Sequence, residues 1–202
     1  MTTRLVLIRH GETDWNVEGR WQGQADVPLN ARGREQAAQI AQSLINSGIA
    51  AIYSSDLTRT RDTAELLSQA TQLGVVRIDP RLREIHQGEW QGLHISEIQS
   101  RYTEAFRLRR ENPLQVAPPG GETASQVRDR VLAAVNEIIQ THPGETVAIV
   151  SHGFALAVIL ADHQGIPIEE VWDLVPENAQ VNIIDVKDSG KKRRPNTRSS
   201  SS

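Results

Sequence analysis

The sequence contains no cysteine among its 202 residues. Disulfide bonds and thiolate chemistry are therefore excluded, both as cross-links and as a source of a nucleophile. No stretch is apolar enough to span a bilayer, and the first residues lack the charged and then apolar layout of a signal peptide. These absences predict a cytoplasmic protein that does not interact with a membrane.

A strong excess of charge of either sign is also missing, because the net charge is −3. Residues 187–202 carry six basic side chains and one acid, a net charge of +5, which leaves −8 for the rest of the chain. An acidic body argues against a broad nucleic-acid surface. We expect a single domain over residues 1–186 and a disordered, basic, serine-rich tail over residues 187–202, because the tail cannot bury enough apolar surface.

Two short apolar runs each end in a histidine followed by a glycine. Residues 5–8 precede Arg9 and His10, and residues 146–150 precede Ser151 and His152. Continuous runs of β-forming residues are typical of strands buried on both faces of a parallel sheet. Open α/β sheets bind ligands outside the carboxyl ends of such strands. We therefore expect both imidazoles to face one crevice.

The expected crevice is cationic. Arg9 precedes His10, and Arg59 lies in the first turn of a predicted helix that follows a third strand end, where the helix N-terminus would attract the same anion. The planar guanidinium matches phosphate oxygens two at a time. The glycines after the two histidines, Gly11 and Gly153, would leave their backbone N–H groups free to face an anion. These features predict a phosphoryl site with no metal, because fixed cations would repel a bare metal ion.

Four blocks of sequence follow one another in a recognisable order. They are residues 9–13, 54–59, 82–84 with 88–92, and 151–153. Together they resemble the histidine phosphatase superfamily, the phosphoglycerate mutase-like proteins, in order and spacing from about residue 4 to residue 186. The resemblance implies an α/β fold of three layers, α/β/α, with a mostly parallel sheet flanked by helices.

The resemblance also implies catalytic roles. Neutral His10 would attack phosphorus and form a phosphohistidine, while Glu84 protonates the departing oxygen. Arg9, Arg59 and His152 would hold the three equatorial oxygens of the phosphoryl group. The neighbouring guanidinium groups would help to keep the imidazole unprotonated. This chemistry needs no cofactor.

Further residues of the phosphate site are expected in a loop over residues 11–28. Asn16 and Gln22 would donate amide hydrogen bonds to phosphate oxygens, as the matching positions of relatives suggest. Arg61 competes with Arg59, but residues two apart on a helix are separated by about 200°. Both arginines cannot face the pocket, and the family pattern selects Arg59.

The function predicted in this way is a metal-independent phosphatase acting on small phosphomonoesters, with phosphoserine and phosphoglycerate as leading candidates. The overall length and residues 82–86 are similar to broad-specificity bacterial phosphatases and to metal-independent phosphoserine phosphatases. The alternative is a phosphoglycerate mutase dependent on 2,3-bisphosphoglycerate, which must exclude water. Relatives dedicated to that reaction tend to be longer, with helical insertions over the site.

Interpretations from other classes stay open. A metal hydrolase would use His10, His152, Glu84 and His86 as ligands, although His86 is equally a candidate for substrate specificity. A non-catalytic phosphate-binding or scaffold protein would have the same fold. A homodimer is considered by analogy with relatives, and no residue pattern indicates it.

A basic cluster lies near the end of a helix predicted over residues 94–112. Its members are Arg107, Arg109 and Arg110. One interpretation makes them part of a lid that senses a substrate carboxylate. We favour the other, in which they form a solvated helix face.

Overall fold

The apolar runs predicted as strands form the centre of one sheet. The computed structural model describes residues 1–187. The strands are β1 (Thr2–Arg9), β2 (Ile49–Ser54), β3 (Val76–Ile78), β4 (Thr146–Ser151) and β5 (Val181–Lys187). Their order is β3-β2-β4-β1-β5, and β5 alone is antiparallel to its neighbour. The predicted tail lies, apart from Lys187, outside the described residues.

Seven α-helices occur within the described residues. They are α1 (Asp14–Glu18), α2 (Ala31–Ser43), α3 (Thr58–Thr71), α4 (Ile95–Arg101), α5 (Thr103–Glu111), α6 (Ala124–Thr141) and α7 (Gly153–Gln164). Short 3-10 segments cover Pro80–Leu82, Gly88–Trp90 and Ile168–Leu174. Local chemistry explains where helices begin: the Asn30 side chain, for example, accepts the Gly33 N–H at 2.8 Å and caps α2.

The sheet is covered on both faces. Because successive side chains of a strand point to opposite faces, Leu5 and Leu7 of β1 pack with α6 and α7, whereas Val6 and Ile8 pack with α2 and α3. The predicted three-layer α/β/α architecture is therefore confirmed.

Two predicted segments differ from the structure. The loop expected over residues 11–28 contains the short helix α1. The helix expected over residues 94–112 is divided at Tyr102, whose ψ of 38° is not helical. The Tyr102 hydroxyl donates to Glu89 at 3.0 Å. No helix within residues 1–187 is long and apolar enough to cross a bilayer.

Candidate active site

The register of the central strands places the two histidines side by side. Arg9 of β1 pairs with Ser151 of β4, so His10 and His152 follow neighbouring strand ends. Their ring centroids are 5.3 Å apart, with one ring edge facing the other ring. The sheet thus brings two imidazoles together at the carboxyl ends of parallel strands, where ligands of such sheets bind.

His10 is held as a neutral imidazole with a defined tautomer. It is only 3% exposed, and its Nδ1 lies 2.7 Å from the carbonyl oxygen of Gly11. A carbonyl can only accept, so Nδ1 carries the proton and Nε2 keeps its lone pair. Burial, then Arg59 and then Arg9 lower the pKa of His10 well below its ordinary value.

His152 is fully buried beside this ring and does not line the cavity described below. Its Nε2 lies 2.8 Å from the Ser55 hydroxyl, and its Nδ1 has no partner among the described residues. Burial, followed by the charge of Arg59, lowers its pKa well below the ordinary value. Ser55 was not predicted as a site residue, although it follows the end of β2 as His10 follows β1.

Two arginines, Arg59 buried and Arg9 half-buried, are anchored through backbone carbonyls. Arg9 donates from Nη1 to Pro176 at 2.6 Å, while Arg59 donates to Ala25 at 2.7 Å and to Gly23 at 2.8 Å. In both residues Nε is buried without a partner in the described part of the chain. Burial lowers both pKa values, that of Arg59 to about 10, so both remain cations at neutral pH. The site therefore has two fixed positive charges available to an anion.

The side chain of Glu84 contacts the first turn of α7. One of its carboxylate oxygens accepts the N–H of Ile85 at 2.9 Å, and the other accepts the N–H of Phe154, in the first turn of α7, at 3.1 Å. The charge of Glu84 raises the pKa of both Arg9 and Arg59 against the effect of burial, as expected for a nearby acid. A carboxyl group is thus fixed beside the cationic site.

These groups surround a cavity of about 290 Å³. Seven of the predicted residues line it: Arg9, His10, Asn16, Gln22, Arg59, Glu84 and Gly153. Sequence reasoning missed other lining side chains: Arg20, Trp21, Gln87, Phe154, Trp172 and Val175. Trp172 and Val175 come from the segment after α7, and no local motif marks them as site residues.

The two predicted amides differ in how they are held. The Oδ1 of Asn16 accepts from the Thr13 backbone at 3.1 Å and from the Asn178 amide at 3.2 Å, which leaves its NH₂ group for the cavity that it lines. Gln22 also lines the cavity, and its buried Oε1 has no partner among the described residues.

Two expectations about backbone donors are wrong. The N–H of Gly11 donates to the Thr63 hydroxyl at 3.4 Å, so it is not free for an anion. Glycine is required here for another reason, because a Cβ would lie 2.2 Å from the carbonyl oxygen of Gly33. The first N–H of α3, that of Thr58, donates at 2.7 Å to Asp26, which occupies the helix N-terminus.

Arg61 and His86, the alternative candidates for the site, lie outside the cavity. Arg61 is exposed and 3.9 Å from Glu65, as predicted for a surface ion pair. His86 does not line the cavity, and its Nδ1 accepts the N–H of Gly88 at 3.0 Å. Within residues 1–187, no three histidine, aspartate or glutamate side chains are grouped so that they could hold a metal ion.

The favoured interpretation of the basic cluster is wrong for one member. Arg107 is exposed and pairs with Glu104 and Glu111, but Arg109 is only 5% exposed. Tryptophans from other segments cover it, which the helical pattern alone did not indicate.

The site is therefore an anion-binding cavity of an α/β protein, lined by a buried histidine and two arginines, and comparisons with known proteins agree with this class. A sequence model of the histidine phosphatase superfamily (branch 1) matches residues 5–195. The chain belongs to this family, which confirms the resemblance and the prediction of an enzyme that hydrolyses phosphoric monoesters.

Individual relatives are similar over most of their length. Phosphoserine phosphatase 1 of Hydrogenobacter thermophilus is 35% identical over 92% of this chain and 87% of its own. "Probable phosphoglycerate mutase GpmB" of Salmonella paratyphi B is 37% identical over 92% of this chain and 86% of its own. The structure of mycobacterial glucosyl-3-phosphoglycerate phosphatase with VO₃ is 38% identical, with a TM-score of 0.80 over 89% of this chain and 90% of that one.

The two buried histidines predict a pH-dependent stability. Both folded-state pKa values are depressed below the ordinary 6.5, so the unfolded chain binds more protons. The stability that they contribute is present above pH 6.5 and is lost as the pH falls below it. The free energy of unfolding, measured with urea, should rise between pH 5 and 6.5 less steeply in His10→Gln than in wild type. We expect the difference in this pH slope to be up to about 1.4 kcal/mol per pH unit.

The matched control is His163→Gln, which changes an exposed histidine near the end of α7. The free energy of unfolding of this variant should change with pH as steeply as that of wild type. Equal slopes for wild type and His10→Gln would contradict a neutral, buried His10.

Proposed function

We propose that this chain is a metal-independent phosphatase that hydrolyses small phosphomonoesters through a phosphohistidine on Nε2 of His10. The observation that carries the proposal is the 2.7 Å contact from Nδ1 of His10 to the Gly11 carbonyl. It leaves the lone pair on Nε2, in a buried imidazole that two guanidinium groups help to keep neutral. A neutral imidazole beside anchored cations can attack an anionic phosphoryl group.

In the first step, Nε2 of His10 forms a bond to phosphorus as the bond to the ester oxygen breaks. The electron pair goes to that oxygen, which takes a proton from the carboxyl group of Glu84. In the second step, Glu84 takes a proton from water, the resulting hydroxide attacks phosphorus, and the bonding pair returns to Nε2. Inorganic phosphate leaves, and both residues regain their starting states.

Charge on the phosphoryl oxygens would be offset by donors that have no other partner. The Nε groups of Arg9 and Arg59 are buried without one in the described structure, and the Asn16 amide is oriented by Thr13 and Asn178. The Asn16 amide is thus oriented before the reaction.

His152 and Gln22 complete this proposed phosphoryl site. If the Ser55 hydroxyl donates to Nε2 of His152, Nδ1 carries the proton and is an unused donor. We assign this N–H to an oxygen of the phosphoryl group once that group is on His10. A half-turn of the Gln22 amide would place its NH₂ where the unpartnered Oε1 now lies.

Relatives support a small phosphorylated metabolite as the substrate. One is named a phosphoserine phosphatase, another a glucosyl-3-phosphoglycerate phosphatase, and both names describe phosphate esters of carboxylate-bearing compounds. We propose phosphoserine or a phosphoglycerate as the substrate, with no metal and no cofactor, and the cytoplasm as the location.

The second candidate is the 2,3-bisphosphoglycerate-dependent mutase, which is favoured by the similarity to "Probable phosphoglycerate mutase GpmB". It would share the first step. The two activities differ in whether water or a second substrate hydroxyl accepts the phosphoryl group from His10.

The first experiment measures phosphate release, with EDTA present, from phosphoserine, 3-phosphoglycerate, sugar phosphates and p-nitrophenyl phosphate. We expect release from at least one carboxylate-bearing metabolite at a rate that EDTA leaves unchanged, because the proposed chemistry uses no metal. No release, together with conversion of 3-phosphoglycerate to 2-phosphoglycerate after priming with 2,3-bisphosphoglycerate, would instead establish the mutase.

Replacing the nucleophile should remove the covalent intermediate. We expect His10→Ala to lose at least about 10³-fold in kcat and to retain no label from a ³²P-labelled substrate after rapid quenching in alkali. His86→Ala is the matched control, because His86 lies outside the cavity lining, and it should keep both rate and label. Near-normal turnover by His10→Ala would refute the nucleophile.

The role of Glu84 depends on the leaving group. An alkoxide leaves poorly without a proton, whereas p-nitrophenolate leaves readily. Glu84→Gln should therefore lower the rate of phosphoserine hydrolysis by at least about tenfold more than it lowers formation of the phosphoenzyme from p-nitrophenyl phosphate. Equal losses in the two measurements would show that Glu84 does not donate the proton.

A further inference from the structure

Arg109 is a buried cation in α5 that the proposed chemistry does not use. Its guanidinium carbon lies 5.7, 5.5 and 5.6 Å from the ring centroids of Trp21, Trp90 and Trp172. The side chain is only 5% exposed. Burial alone lowers its pKa, to about 10, and no acidic group of the described chain raises it again. Arg109 therefore stays charged at neutral pH without a counter-ion.

Its hydrogen-bonding capacity is largely unused. Nη1 donates to Oε1 of Gln87 at 3.3 Å, which is a long bond to a neutral acceptor. Nε and Nη2 are buried and have no partner within residues 1–187. The guanidinium presents its N–H groups in one plane as a fork that fits a carboxylate. Arg109 thus has the donors that an anion needs.

A second cavity, of about 310 Å³, lies beside the phosphate cavity. Arg109 lines it together with Arg110, one acidic residue, Glu169, and apolar side chains that include Trp90 and Phe106. Glu169 forms no ion pair with Arg109. Trp21 and Trp172 line both cavities, so the second begins where the phosphate cavity ends. Gln87, the hydrogen-bond partner of Arg109, lines the phosphate cavity. A substrate whose phosphate lies at His10 has this compartment available for the rest of its structure.

The charge of Arg109 is not needed for the phosphate itself. Arg9 and Arg59 line the phosphate cavity and have unpartnered Nε atoms, whereas Arg109 does not line that cavity. A purely structural cation over aromatic rings would use the ring faces but would not require two unpaired N–H groups. Arg107, two residues earlier, shows the surface alternative by pairing with exposed glutamates.

Building on the proposed function, we propose that the second cavity binds the leaving-group part of the substrate and that Arg109 pairs with a carboxylate on it. The apolar part of the leaving group lies against Trp21 and Trp172. Nε and Nη2 are buried, so a side chain that covers them has to shift when the carboxylate binds. Arg109 is thus a specificity-determining residue for phosphomonoesters of carboxylate-bearing alcohols.

The test compares pairs of substrates that differ in the carboxylate. One pair is 3-phosphoglycerate and glycerol 3-phosphate. The other is 4-carboxyphenyl phosphate and phenyl phosphate, in which an aromatic ring places the carboxylate farther from the phosphate. For each pair the ratio of kcat/KM values is measured in wild type, Arg109→Met and Arg109→Lys. Methionine keeps much of the packing volume and removes the charge, and the ratio cancels any loss common to both substrates.

We expect wild type to favour the carboxylate in at least one pair and Arg109→Met to reduce that preference by at least about tenfold, mainly through KM. Arg109→Lys should keep part of it. Arg107→Met, a change of an exposed arginine on the same helix, should keep all of it. Binding of the preferred substrate to His10→Ala should change the tryptophan fluorescence, since three of the four tryptophans surround Arg109.

An equal loss for both members of each pair in Arg109→Met would show a structural role and overturn the proposal, as would an unchanged ratio. Absence of any carboxylate preference in wild type would overturn it too. Dissociation constants of the four compounds for His10→Ala, with and without Arg109→Met, separate this inference from the proposed function. Absent turnover in wild type would refute the phosphatase, whereas the carboxylate preference in binding would still decide the role of Arg109.

Discussion

Six residue pairs between β1 and β4, from Arg4 opposite Thr146 to Arg9 opposite Ser151, set the position of both histidines. Because side chains alternate between the faces of a sheet, a slip of one residue would exchange the side chains that pack on α6 and α7 with those that pack on α2 and α3. The packing of Leu5 and Leu7 on one face and of Val6 and Ile8 on the other resists that slip. The geometry at His10 and His152 is therefore a consequence of how the core packs.

The segment before β5 supports the same strand end from the other side. The carbonyl of Pro176 accepts from Arg9, the N–H of Ala179 donates to the carbonyl of His10 at 3.1 Å, and Asn178 orients the Asn16 amide. Residues far apart in the sequence thus fix a guanidinium, an imidazole and an amide relative to one another. This is the preorganisation that an electrostatic site requires.

Buried charge links binding to stability in this molecule. Arg9, Arg59 and Arg109 all have pKa values lowered by burial, and removing an ion from water costs of the order of several kcal/mol. An anion held between such cations offsets part of that cost, because opposite charges attract strongly where the dielectric is low. The two cavities that share Trp21 and Trp172 would then recognise two negative charges, a phosphoryl group at His10 and a carboxylate at Arg109.

The sequence by itself determined the fold class, the family and most residues of the candidate site. Apolar runs ending in His10 and His152 mark two parallel strands, and ordered motifs marked Arg59 and Glu84, because these features are local and survive without knowledge of packing. Element boundaries such as the division of the helix at Tyr102 were not predictable, since local propensity does not determine where a helix ends in tertiary context.

Only the tertiary structure decided which polar groups are already occupied and which are free. It showed that Thr63 takes the N–H of Gly11 and that Asp26 takes the N-terminus of α3. It also showed that Arg109, which resembles a surface residue in the sequence, lies between tryptophans from three different segments. Burial and partner choice depend on long-range contacts, and helical periodicity carries no information about which distant side chains supply them.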